Sequence, residues 1–194
     1  MSLKKIYYLL SILLMGSSLF FVSCNNSGDD DLLGDWEEGS DFNGVPRSES
    51  VGFVIGNNAY LATGVDLDKD RLKDLWYYNS EEQYWVQKAD MPANAVARSA
   101  AVAFAAGGKG YVGTGIDDNG DELKDFWCYN PATDLWSKIA DFPGSARYSA
   151  VGFALNDKGY VGTGYDDNGE TKEFYEYDPT SDSWTEIPFG GSKR

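Results

Sequence analysis

The sequence predicts an all-β chain built as a row of four-stranded antiparallel blades. Three observations predict it. First, one stretch, residues 99–142, is written three times. The middle copy carries Arg98, Tyr111, Thr114-Gly115, Trp127, Tyr129 and Trp136. The copy before has Arg47, Tyr60, Thr63-Gly64, Trp76, Tyr78 and Trp85, and the copy after has Arg147, Tyr160, Thr163-Gly164, Tyr175, Tyr177 and Trp184. The arginines lie 51 and then 49 residues apart, and a period near ~50 marks blade repeats. Second, short runs of small, β-branched and aromatic residues are parted by Gly, Asn and Asp, the residues that tolerate hairpin turns. Third, no stretch between these runs has the apolar period of a helix.

Each copy resolves into four strands. The first is Val102 to Ala106, with Val51 to Ile55 and Val151 to Leu155 as its equivalents. A Gly- and Asn-rich turn, Gly107 to Gly110 in the middle copy, leads to the second strand, Tyr111 to Thr114, which Gly115 stops. An Asp/Asn/Gly-rich loop precedes the third strand, Phe126 to Asn130. The pair Asn130-Pro131 turns the chain, as Asp178-Pro179 does one copy later. The fourth strand, Leu135 to Ile139, is centred on Trp136.

A small-residue strand, Tyr-x-x-x-Gly, an aromatic-Tyr-Asn/Asp-Pro turn and a Trp strand together resemble the kelch repeat, over roughly residues 36–189. The resemblance implies a kelch-type β-propeller. Kelch repeats commonly carry Gly-Gly after the second strand. Here the copies read Thr-Gly, and a β-branched Thr is expected to extend the strand. Kelch folds include enzymes, binding modules and adaptors, so the fold alone assigns no activity.

Residues 1–23 read as a secretory segment: Lys4-Lys5, an apolar run from Ile6, and small residues before Cys24. Phe21-Val22-Ser23-Cys24 resembles a bacterial lipobox, with Cys24 as the lipidated residue. Residues 24–31 form a polar, acidic tether without the apolar surface to fold. It resembles the surface-export tethers of lipoproteins of the Bacteroides group. Residues 32–194 hold the repeats. Asp35-Trp36 and Asp41-Phe42 match Leu135-Trp136 and Asp141-Phe142, so Trp36 is expected on an orphan fourth strand. Arg194 aligns with the opening arginine of a further copy. The expectation is an incomplete propeller of three blades, an open arc prone to self-association.

Composition narrows the function. With 31 acidic against 16 basic residues the net charge is −15. Such a surface repels nucleic-acid phosphates. There is no histidine, which removes Ser-His-Asp catalysis and His-ligated metals, including the copper site of galactose-oxidising kelch enzymes. No cofactor is expected. If Cys24 is lipidated, Cys128 has no partner for a disulfide within the chain.

Four groups of residues are candidates for chemistry. Arg47, Arg98 and Arg147 recur at the entry to each first strand. In kelch binding modules such arginines can face the central pocket and grip carboxylates; alternatively they form ion pairs with Asp90, Asp141 or the acidic loops. The loops 66–70, 117–122 and 166–170 are rich in Asp and read as cation sites or as plain turns; the EF-hand pattern fails at Arg71 and Tyr77. Trp85, Trp136 and Trp184 read as packing between blades or as sugar platforms. Tyr77, Cys128 and Glu176 share one position with three chemistries, so that position reads as tolerant.

The sequence reading is a non-catalytic lipoprotein of the cell envelope, anchored by lipid to the outer membrane. It binds a protein or carbohydrate ligand through propeller loops. The alternatives are a sialic acid epimerase-like enzyme and a truncated, inactive product.

Overall fold

The structure is a computed structural model that describes residues 38–193. The expected signal segment, the tether with Cys24, the Trp36 strand and Arg194 lie outside the described residues. Among those residues every regular element is a strand, and three four-stranded antiparallel sheets follow one another along the chain.

The first blade is Val51–Ile55, Asn58–Ala62, Leu75–Asn79 and Tyr84–Lys88. The second is Val102–Ala106, Lys109–Gly113, Phe126–Asn130 and Leu135–Ile139. The third is Val151–Leu155, Lys158–Gly162, Phe174–Asp178 and Ser183–Ile187. Strands pair in chain order within each blade, and the first strands of successive blades lie side by side. The predicted first, third and fourth strands coincide with the observed ones. The second strand starts two residues earlier than expected and stops at Gly113.

Threonine was expected in that strand, and the structure corrects this. Thr63, Thr114 and Thr163 have φ of 60°, 55° and 59°, the left-handed region that favours glycine. At this turn the arginine of the same blade holds the threonine carbonyl. Arg47, Arg98 and Arg147 donate from Nη1 to the carbonyls of Thr63, Thr114 and Thr163 at 3.1, 3.1 and 3.0 Å. The Thr63 and Thr114 hydroxyls are buried without a hydrogen-bond partner. A left-handed L-residue costs about 1–2 kcal/mol, while glycine gives back about 0.5–1 kcal/mol in chain entropy. Thr114→Gly should therefore leave the protein unchanged or stabilise it by up to about 1 kcal/mol, read as a rise in the urea midpoint. A clear loss would show that the threonine methyl packs better than its strain costs.

The cores lie between blades. Val51, Phe53 and Leu75 of the first blade pack on Ala101, Val112 and Tyr129 of the second. Val102, Phe104 and Phe126 of the second pack on Val161 and Tyr177 of the third. Each joint carries one phenylalanine against one glycine: a Cβ placed on Gly110 would overlap the Phe53 ring, and one on Gly159 the Phe104 ring. Backbone bonds stitch the joints. Ala100 N–H donates to Glu49 at 3.0 Å, and Ser149 N–H to Ala100 at 2.8 Å. Gly64 and Gly115 N–H donate to the carbonyls of Arg98 and Arg147, one blade on.

Trp136 and Trp184 were expected between blades, and they sit at the joints half-buried. Trp136 Nε1 donates to the Ala89 carbonyl at 2.8 Å, and Trp184 Nε1 to the Ala140 carbonyl at 3.0 Å. The two linking residues answer with their own N–H groups: Ala89 donates to Asp134 and Ala140 to Asp182 of the following blade.

Candidate functional site

The repeated arginines are the most constrained polar groups in the fold. Arg98 and Arg147 are 0% exposed. Arg98 Nε donates to the Val96 carbonyl, while Nη1 and Nη2 grip both oxygens of Asp125 at 2.7 and 2.8 Å. Arg47 holds Asp74 in the same two-pronged way. Arg147 reaches Glu173 through Nη2 at 3.2 Å, and Nη1 also donates to the Thr171 hydroxyl. Trp76 and Trp127 complete the first two clamps by donating their indole N–H to Asp74 and Asp125.

These contacts show where the sequence-predicted arginines go. They are ion pairs, with partners other than those expected. Asp90 instead accepts from Gln87 at 3.2 Å, and Asp141 pairs with Lys138 at 3.0 Å. The true partners carried a signal: an acidic residue stands two places before the third-strand aromatic in every copy, at Asp74, Asp125 and Glu173. A donor fork held by two carbonyls and a carboxylate, with no exposed surface, is already committed to the fold.

The acidic loops are folded by their own first aspartate. Asp66 Oδ1 accepts from the N–H groups of Asp68 and Asp70 at 3.0 and 2.9 Å. Asp117 Oδ1 accepts from Asn119 and Asp121 at 2.8 and 2.9 Å, and Asp166 accepts from Asn168. This is Asx-turn chemistry. Burial works against the Asp117 carboxylate, yet the N–H groups of Asp121 and Asn119 outweigh it and hold its pKa below the ordinary value. Neighbouring loops are joined, because Asp118 accepts from Arg71 N–H at 3.0 Å and faces its guanidinium at 3.6 Å. Of the other acids in these loops, Asp68, Asp121 and Asp167 are exposed on successive blades.

Cys128 is buried beside Tyr111, and burial pushes its thiol up. The position it shares with Tyr77 and Glu176 is less tolerant than expected in the first two blades, since Tyr77 and Cys128 both pack at joints. Glu176 lies on the face of the third blade that no other described blade covers. It accepts from Lys158 at 2.6 Å and from the Tyr160 hydroxyl at 2.7 Å. The same face holds a 480 Å³ concavity lined by Val151, Phe153, Thr163, Phe174, Ile187 and Phe189 among others. That concavity had no separate mark in the repeats, because its residues occupy the ordinary joint positions of every copy.

A family description, the KLHDC2/KLHL20/DRC7 Kelch-repeats domain, matches residues 40–194. The solved structure of YjhT is similar in fold, with a TM-score of 0.70 at 20% sequence identity. The match covers 81% of this chain and 56% of that one, so the chain spans little more than half the length of that relative. Blades stitched at their joints, an arginine clamp in each, and a family match over most of the sequence lead to one conclusion: the chain belongs to the kelch-repeat family.

Proposed function

We propose that the chain is a non-catalytic kelch binding module, held at the cell envelope by a lipid on Cys24, that takes a protein or glycan ligand on its blade loops. The row of acidic loops carries this reading. Asp66, Asp117 and Asp166 fix each loop from within, and Arg71 ties the first loop to the second. A rigid row loses little conformational freedom on binding. Its free carboxylates at Asp68, Asp121 and Asp167 favour a protein ligand with clustered Lys and Arg over a neutral glycan. The three arginines have no part in ligand contact in this reading. The epimerase-like alternative drew on those arginines and is not carried further.

Changing Asp68, Asp121 and Asp167 together to asparagine should weaken a salt-sensitive complex recovered from envelope extracts and flatten its salt dependence, with melting unchanged. Equal retention by the neutral variant would overturn the loop reading. For the anchor, Cys24→Ala should move the protein from the membrane fraction to the soluble one. A wild-type protein recovered soluble with an unmodified N-terminus would refute lipidation.

A further inference from the structure

Beside each acidic loop runs a short cross-strand row, and the third blade fills it with different chemistry. The residue after the clamp arginine pairs with the residue after the Thr-Gly turn: Ser48 with Val65, Ser99 with Ile116, and Tyr148 with Tyr165. The second member of each pair also pairs with a residue at the far end of the loop: Val65 with Arg71, Ile116 with Glu122, and Tyr165 with Glu170. Directly opposed residues of antiparallel strands project to the same face. The rows therefore read Ser48-Val65-Arg71, Ser99-Ile116-Glu122 and Tyr148-Tyr165-Glu170.

Of the three rows, the third presents aromatic rings next to an acid. The N–H groups of Tyr148 and Tyr165 donate to each other's carbonyls, both at 3.0 Å, which fixes the backbone beneath the side chains. The two rings stack with centres 5.8 Å apart and planes 24° apart. Tyr165 is 40% exposed, and Glu170 beside it is exposed too. The second blade offers no such surface, because Ser99, in the place of Tyr148, is fully buried. The first blade carries its own cation in the row, Arg71, whose guanidinium faces Asp118 at 3.6 Å. Glu170 takes the place of that cation and has no ion pair among the described residues.

We infer that Tyr148, Tyr165 and Glu170 form a receptor for one arginine side chain of a protein ligand. The inference rests on the reading that the acidic loops take a protein rich in Lys and Arg, and it names the place where one such side chain is gripped. A tyrosine ring attracts a cation over its face. A planar guanidinium can lie on the ring while its edge donates to the Glu170 carboxylate. The surrounding charge agrees with this. Asp166 and Asp167 follow Tyr165 directly, in a chain of net charge −15. Lys172 and Lys193 line a hollow with Asp166, Glu170 and Glu173, where the carboxylates outnumber the amines. A neutral glycan would also stack on the rings, but it gains nothing from that excess of negative charge.

The test is the binding of capped hexa-arginine to the full chain, kept out of membranes by Cys24→Ala and followed by calorimetry at low salt. Tyr148→Ser with Tyr165→Ile, which copies the row of the second blade, should weaken binding by about 3–10-fold. Glu170→Gln should weaken it by about 2–5-fold and flatten its salt dependence. Hexa-citrulline, the neutral counterpart, should bind more weakly and respond to neither change. Tyr165→Ile alone gives the same comparison at smaller amplitude if the paired variant melts early. Equal binding of hexa-arginine by the parent and the row variants would overturn the receptor. Maltohexaose, a neutral glycan, bound by the parent, lost in the ring variant and indifferent to Glu170→Gln would make the rings a sugar platform and overturn it as well. The row variants keep Asp68, Asp121 and Asp167, and the triple loop variant keeps the row, so the receptor and the loop reading fail separately.

Discussion

Arg98→Ala should cost about 3–5 kcal/mol, a large share of the roughly 5–15 kcal/mol that holds a domain together. The residue has no exposed surface. Its loss leaves the Asp125 carboxylate without its partner and frees the carbonyls of Val96 and Thr114. Arg98→Lys keeps the charge but not the two-pronged grip, so it should recover only part of the loss. Arg147→Ala should cost less, because Glu173 is 44% exposed and water can take over from the arginine. Urea denaturation of the three variants reads this order directly. A cost below about 1 kcal/mol for Arg98→Ala would show that the clamp is incidental to the blade.

The same pair sets an acid limit. Burial raises the Asp125 pKa, and the hydrogen bonds and charge of Arg98 outweigh burial, so the folded value lies below the ordinary one. A carboxylate depressed in the fold stabilises it above the unfolded value near ~3.9, and this contribution disappears as pH falls through the folded value. Asp125→Asn should remove that part of the acid sensitivity.

Phe104→Ala should cost about 3–5 kcal/mol, while Phe153→Ala, the same substitution one blade later, should cost under about 1 kcal/mol. Phe104 stacks on Tyr111 at 4.9 Å and closes the joint over Gly159. Phe153 stacks on Tyr160 in the same way, but nothing described lies on its other side. The pair isolates the contribution of the joint from that of the blade. Equal costs at the two positions would mean that the ring acts within its own sheet.

The strands were legible because their turn chemistry repeats: Gly107-Gly108 falls between the first and second strands of its blade, and Asn130-Pro131 ends the third. The arginine clamp was half legible. Arg47, Arg98 and Arg147 stand out by period, but Asp74 and Asp125 sit 27 residues downstream, and sequence spacing alone does not say which carboxylate the fold returns to an arginine. Threonine misled, since β-branching argues for a strand, whereas all three threonines take a positive φ with their carbonyls held by the arginines. The difference between Phe104 and Phe153 was legible only as the general expectation of an open arc with exposed aromatic faces at its ends. Both lie in the same pattern, and exposure depends on what stands opposite.

The hydrogen bonds from Ala100 to Glu49 and from Ser149 to Ala100 run between main-chain atoms. The side chains at these places, a carboxylate, a methyl and a hydroxyl, have nothing in common. A joint made of main-chain groups can be copied with the segment that carries it. A tandem duplication of one such stretch of gene therefore yields a product already able to seat beside its parent, before any substitution adapts the two surfaces to each other. Growth by whole units is then easier than growth by insertion, and the side chains at these main-chain contacts are free to diverge.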